Sequence, residues 1–345
     1  MVFSLLICTF VIEMATRRIE YIDAMRGFTM ILVVFAHICH FCLGDSRMGY
    51  NAVFILFRLP CFFMLSGWLF EPIAQRSFMA IARHKFMVQI VPTFIFLLLL
   101  APPPLFFEKL GALKGGYWFT FVLFEFFVIY MFSVRLGKKW QPWVALAVTV
   151  ISSYYTSCYN GFQSSAVGCQ VWLVNLLGFL SVTLWRFYLF FYIGTLMRKH
   201  FDAFIRWTNK PIVILLITII FFIDASTPHY INPLFEMSRF YVGGITGMWM
   251  IFTCFRLFDS WLKKLYLSKP LQYVGTRTLD VYLLHYFFLP RNLQMIASFF
   301  KDHPNPTIEF FFSCTLALIV IGISLLVSKV LCTSPILANV LFGKK

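Results

Sequence analysis

Ten apolar stretches, divided by short polar segments, run through almost the whole of this 345-residue chain. They fall at about 27–43, 50–70, 86–101, 117–134, 141–157, 175–197, 211–225, 239–258, 278–298 and 308–331. Most approach the roughly 20 residues that an α-helix needs to cross a bilayer. Backbone polar groups cannot be left unpaired in hydrocarbon, so such stretches fold as helices. The expectation is an all-α, polytopic integral membrane protein of about ten transmembrane helices. Composition agrees, since only 12% of the residues are charged, against about a quarter in soluble domains.

A formal charge of +15 raises the question of nucleic acid. The cations, however, sit in short loops between apolar spans, which is a topology signal, and no nucleic-acid partner is expected. With alternate loops on opposite sides, twenty Lys and Arg residues fall on the side that holds both termini. Six fall on the other, at Arg47, Lys109, Lys114, Arg239, Arg291 and Lys301, while Arg26, Arg58 and Arg186 lie within spans. Both termini are therefore expected in the cytoplasm. The nine cysteines form no pair of CxxC units, so neither a zinc site nor a disulfide framework is indicated. Cys158 and Cys169 share one loop and can pair if it faces an oxidising compartment. The first thirteen residues have neither a basic leader nor a small-residue cleavage site. Met14 is the expected native start, which makes 1–14 an extension, alternatively an interfacial one, and 15–345 a single membrane domain.

The first span carries the most informative polar residues, in the run YIDAMRGFTMILVVFAHICH from Tyr21 to His40. Arg26 and His37 are eleven residues apart, three helical turns plus roughly 20°, so they share one face about 16 Å apart along the axis. This places Arg26 at one surface and His37 near mid-bilayer. An ionisable group at that depth marks a pathway or an active site, the alternative being a bond to a neighbouring helix. Arg58, Glu125, Arg186 and His285 fall at comparable depth in their own spans. Glu125 neutralising Arg58 or Arg186 is the purely structural reading of those three. His285 is a second catalytic or orienting candidate, or a satisfied core histidine. His40 with Cys39 and Cys42 imitates a metal cluster, but no carboxylate joins them and helix-wall packing is the reading adopted, with no metal. In RLPCFFMLSGWLF, Pro60, Ser66 and Gly67 can bend the second helix and admit another backbone. Arg83, His84 and Lys85 lie where a phosphate-bearing ligand would enter, and GGYWFTF reads as an aromatic belt at the outer interface.

IDAMRGFTMILVVFAH, with Arg26 and His37 at its ends, closely resembles the first helix of the membrane-bound acyltransferase family 3. Further segments resemble that family's motifs in order: FFMLSGW, RHKFMVQIVP, YWFTFVLFEF, FFYIGTLMRK and VGTRTLDVYLLH. They span about Ile19 to Lys329, and at the basic run Lys85 stands where the family pattern has arginine. The resemblance implies an O-acyltransferase that takes an acyl group, usually acetyl, from acyl-CoA and places it on a carbohydrate hydroxyl of a cell-surface glycan or its lipid-linked precursor. Acetyl-CoA is then a donor substrate and no cofactor is permanently bound. The implied location is a cell membrane, most naturally the bacterial inner membrane. His37 is the implied base, because an imidazole with a reference pKa near 6.5 can take the proton of an attacking hydroxyl. Arg26, with Arg83, Lys85 and Arg198, would hold the donor phosphates at the cytoplasmic mouth. Arg58, Ser66, Trp118, Glu125, Arg186, Tyr282 and His285 would line the substrate chamber. A transporter or flippase for a glycan or anionic metabolite is the other class that places charges at mid-membrane.

Overall fold

The structure is a computed structural model, and it describes residues 19–45, 50–74, 77–101, 113–165, 169–227, 232–291 and 293–344. The extension at 1–14, the side chain of Cys169, Arg47, Arg76 and Lys109 lie outside the described residues. Among the described residues every regular element is helical.

The chain begins with α1 (Glu20–His37), which runs without a break into a π-helical turn, Ile38–Cys42. Next come α2 (Asn51–Phe70) and α3 (Phe78–Lys85), and α3 passes through a second π turn, Phe86–Ile90, into α4 (Val91–Leu100). A tight turn at Leu113–Gly116 precedes α5 (Trp118–Leu136), followed by α6 (Gln141–Ser165) and α7 (Cys169–Phe179). A 3-10 segment, Val182–Phe187, leads into α8 (Tyr188–Lys199), then α9 (Phe201–Thr208), α10 (Pro211–Ser226) and α11 (Pro233–Leu257). The last part comprises α12 (Asp259–Lys264), α13 (Ser268–Thr276), α14 (Thr278–Phe288), α15 (Gln294–Asp302), α16 (Pro306–Leu331) and α17 (Pro335–Phe342).

Each of the ten apolar stretches is helical, yet fewer than ten are uninterrupted spans. Among the described residues six helices are long and apolar enough to cross a membrane, or eight if two bent pairs each count once. One pair bends by 43° between α7 and α8, where Ser181 takes a left-handed conformation with φ 53. The other bends by 81° between α9 and α10, before Pro211. The stretch at 278–298 divides because Leu289, which precedes Pro290, is forced into extended backbone and ends α14. Helix α6 is long, but its middle carries Ser152, Ser153, Thr156 and Ser157.

Two glycine-mediated contacts fix the centre of the bundle. A Cβ on Gly27 would overlap the carbonyl oxygen of Leu271, and one on Gly275 would overlap that of Asp23, so α1 and α13 touch backbone to backbone. Gly67 meets the carbonyl of Phe191 and Gly194 that of Met64, locking α2 to α8 in the same way. Small residues allow this because association within a membrane is driven by close van der Waals packing. The rest of the core is largely aromatic, with Phe63, Phe126, Phe190 and Phe191 fully buried. Two of the six outer cations expected in loops are buried within the protein. Lys114 is buried, and Arg239 in α11 bonds the backbone oxygen of Asp224 at 2.7 Å.

Candidate active site

His37 is the last α-helical residue of α1, with the π turn starting at its neighbour. In α1 as observed, which starts at Glu20 and continues to Cys42, it lies nearer the far end of the span than the middle expected from an apolar stretch beginning at Gly27. Helix α14 brings His285 beside it, with His37 Nδ1 and His285 Nε2 2.7 Å apart and the ring planes within 14°. His285 is completely buried, and its Nδ1 bonds the Val281 carbonyl at 3.0 Å. A carbonyl can only accept, so His285 carries a proton on Nδ1, and in the neutral ring its Nε2 is a lone pair. The short contact then requires His37 to donate from Nδ1, which leaves His37 Nε2 as a free base.

Tyrosines from two elements close around this pair. The Tyr286 ring lies 5.1 Å from that of His37 and 4.1 Å from that of His285, and its hydroxyl donates to the Gly116 carbonyl at 3.0 Å. Tyr282 donates to the same carbonyl at 3.2 Å and accepts from the Phe119 N–H. Tyr117 donates to the Leu283 carbonyl at 2.6 Å. Aiming one carbonyl at two tyrosines takes a run of left-handed backbone at Lys114, Gly115 and Gly116, the last with φ 96 and with Tyr286 where a side chain would go. Such φ values favour glycine. Lys114 is held there by donating to the Phe179 carbonyl at 2.7 Å and to the Ser181 hydroxyl. GGYW is thus a buried structural device and not an interfacial aromatic belt: Tyr117 is 0% exposed.

Two cavities flank this arrangement. The larger, about 950 Å³, is lined by His37, His40, Arg58, Trp118, Tyr286 and Arg291 among others. Arg58 donates to Asn51 Oδ1 at 2.6 Å, so its neutral partner leaves the charge uncancelled by that bond. The smaller, about 430 Å³, is lined by Arg26, Ser66, Lys85, Gln89, Thr278 and Tyr282 among others. Arg26 pairs with Asp23 at 3.1 Å and donates to Thr278 Oγ1 at 3.3 Å. Lys85 ends α3 just before the second π turn and sits 4.8 Å over the Phe127 ring. Tyr282 stands between the cavities, in the wall of the smaller and with its ring 6.0 Å from that of His285.

The structure divides the expected residues among these places. Of the four expected phosphate-binding cations, Arg26 and Lys85 share the smaller cavity. Arg83 is exposed, as is His84, and Arg198 lies 5.3 Å over the Trp68 ring, away from that wall. Of the expected chamber residues, Arg58 and Trp118 line the larger cavity and His285 supports it, whereas Ser66 and Tyr282 belong to the smaller. Glu125 lines neither and pairs with neither arginine, because Trp185 Nε1 donates to it at 2.6 Å. Arg186 lines a third cavity. Tyr117, Tyr286 and Lys114 were not singled out from the sequence. Tyr286 adjoins His285 and follows Tyr282 at helical spacing, the one signal that could have found it.

Residues 19–327 match the model of a family described as Acyltransferase domain, acyltransferase family 3. No curated protein and no solved structure matches the chain significantly.

Proposed function

The chain belongs to the membrane acyltransferase family 3, and on that premise we propose that it transfers an acetyl or similar acyl group from acyl-CoA to a hydroxyl of a cell-surface carbohydrate or its lipid-linked precursor. The observation that carries this reading is the 2.7 Å contact between His37 and His285 in the wall of the larger cavity. A hydroxyl is a poor nucleophile until a base takes its proton, and His37 Nε2 is available for that.

The donor phosphates rest against Arg26 and Lys85, at the end of α1 assigned to the cytoplasm by the loop charges. The pantetheine arm passes Tyr282 and presents the thioester carbonyl to the larger cavity. The acceptor hydroxyl, entering that cavity from the other side, gives its proton to His37 Nε2 as its oxygen bonds the carbonyl carbon. The resulting imidazolium keeps its Nδ1–H bond to His285, which orients the ring and stabilises its charge, as the third member does in a catalytic triad. Arg58, in the same wall, stabilises the developing oxyanion. Collapse breaks the C–S bond, His37 returns the proton to the thiolate, and the products are an ester and free coenzyme A.

Sealed right-side-out vesicles loaded with radiolabelled acetyl-CoA test this reading. Label is expected on glycan added outside. Label only on glycan trapped inside would make the chemistry wholly cytoplasmic, and uptake without transfer would indicate a carrier.

A further inference from the structure

The third cavity, about 310 Å³, is lined by Ser153, Thr156 and Ser157 of α6, by Arg186, and by Glu236, Met237 and Phe240 of α11. Arg186 precedes α8 at the end opposite Arg198 and Lys199. The two cavities are neighbours across a row of aromatic rings. Trp118, in the wall of the His37 cavity, stacks on Phe187 at 6.5 Å, and Phe187 packs on Phe240 at 5.1 Å.

Its chemistry is two-sided. Arg186 lies over the Phe240 ring at 4.6 Å, and its Nε has no hydrogen-bond partner among the described residues. A guanidinium supplies only donors. Thr156 donates its proton to the carbonyls of Ser152 and Thr183, at 2.7 and 3.0 Å, and Ser157 donates to that of Ser153 at 3.1 Å. Both oxygens therefore remain as acceptors. Ser153 is hydrogen-bonded to Tyr241 at 2.6 Å. Glu236 adds a carboxylate, 3.6 Å from Arg239, which also pairs with Asp224 at 3.4 Å. The lining itself thus holds one arginine and one carboxylate. An anion would meet Glu236 and gain little. An uncharged polyol, whose hydroxyls both donate and accept and whose C–H face can lie on Phe240, uses every group present.

We propose that this cavity is a second saccharide subsite, binding one uncharged sugar ring of the acceptor remote from the ring being acylated at His37. The inference rests on the reading above that the acceptor is a carbohydrate. The volume is at the small end of ligand pockets, suited to one ring. Holding a ring remote from the reacting hydroxyl supplies binding energy that positions the hydroxyl itself.

The test uses the full-length protein in detergent, titrated with methyl glucoside, methyl galactoside, methyl mannoside and inorganic phosphate, with binding read by saturation-transfer NMR. At least one hexoside is expected to bind saturably. Arg186→Gln is expected to raise its Kd about tenfold, the worth of one charge-assisted hydrogen bond, with partial rescue by Arg186→Lys. Ser157→Val gives a second reading if Arg186→Gln does not fold, and a weakened Kd is expected there too. The proposal is overturned if no hexoside binds, if phosphate binds in its place, or if the folded variants bind hexoside like the unaltered protein. If no glycan is ever acylated but hexoside binding depends on Arg186, acyl transfer fails and the sugar site stands. If glycans are acylated and Arg186→Gln binds normally, the subsite alone fails.

Discussion

Gly194 lies so close to Met64 that a single added carbon on the glycine would overlap the methionine carbonyl oxygen, and Gly67 stands in the same relation to Phe191. The contact is between backbones, which cannot rotate away as a side chain can. Gly194→Ala is therefore expected to force α2 and α8 apart, at a cost of about 1–3 kcal/mol. Gly178, with nothing within 4 Å of the corresponding position, is the control. Thermal unfolding in detergent should show a lowered midpoint for Gly194→Ala and little change for Gly178→Ala. Equal midpoints would contradict the close packing.

The histidine pair separates two roles. His37→Ala removes the base and is expected to lower kcat by about 100-fold or more while the KM for donor is largely kept. His285→Ala leaves the base but frees its ring, so a smaller loss of about tenfold to 100-fold is expected. Should His285→Ala prove the more damaging in folded protein, the assignment of base and orienting residue must be exchanged.

The placement of the cations makes a finer distinction than the sequence does. Arg26→Ala and Lys85→Ala are expected to raise the KM for acetyl-CoA by about tenfold each, because both side chains line the smaller cavity. Arg83→Ala, at an exposed position two residues before Lys85, is expected to change it little. Steady-state kinetics with varied donor decide the matter, and a large effect at Arg83 alone would move the donor site.

The loop charges lead us to expect both termini in the cytoplasm after ten crossings, whereas eight spans counted without α6 would put Lys139 and Lys199 on opposite sides. Reporter fusions after Lys139 and Lys199 are expected to read cytoplasmic and one after Lys301 extracytoplasmic. The reverse pattern would invert the proposed route of the donor.

The helices were legible in the sequence because the bilayer imposes a length and an apolar surface that survive in a single chain's composition. Their interruptions were less so: Ser181 adopts a left-handed backbone in the midst of an apolar run, and no residue type there announces it. His37, Arg58 and His285 were found because an ionisable side chain deep in a span is costly and stands out, and Arg26 because it shares the helix face of His37. Their grouping was not legible, since depth along a helix says nothing of which neighbour it faces. Glu125 and Arg186, expected at the depth of the candidate site residues, turn to Trp185 and to a separate cavity. Lys114 and Tyr117 escaped for the opposite reason, in that a lysine, glycines and aromatics beside a membrane surface are what any interface offers.

The two π turns, at Ile38–Cys42 and Phe86–Ile90, each follow directly on a residue that faces a cavity, His37 in one case and Lys85 in the other. A π turn winds one surplus residue into a helix that would otherwise close regularly, and such turns recur at functional sites. Deleting that residue should let each span relax to an ordinary α-helix of sufficient length to cross the bilayer. Everything beyond the deletion would then swing through about 100° relative to what precedes it. The thickness of the membrane thus sets the length of these spans, and the single surplus residue of each π turn sets the bearing of the cavity wall.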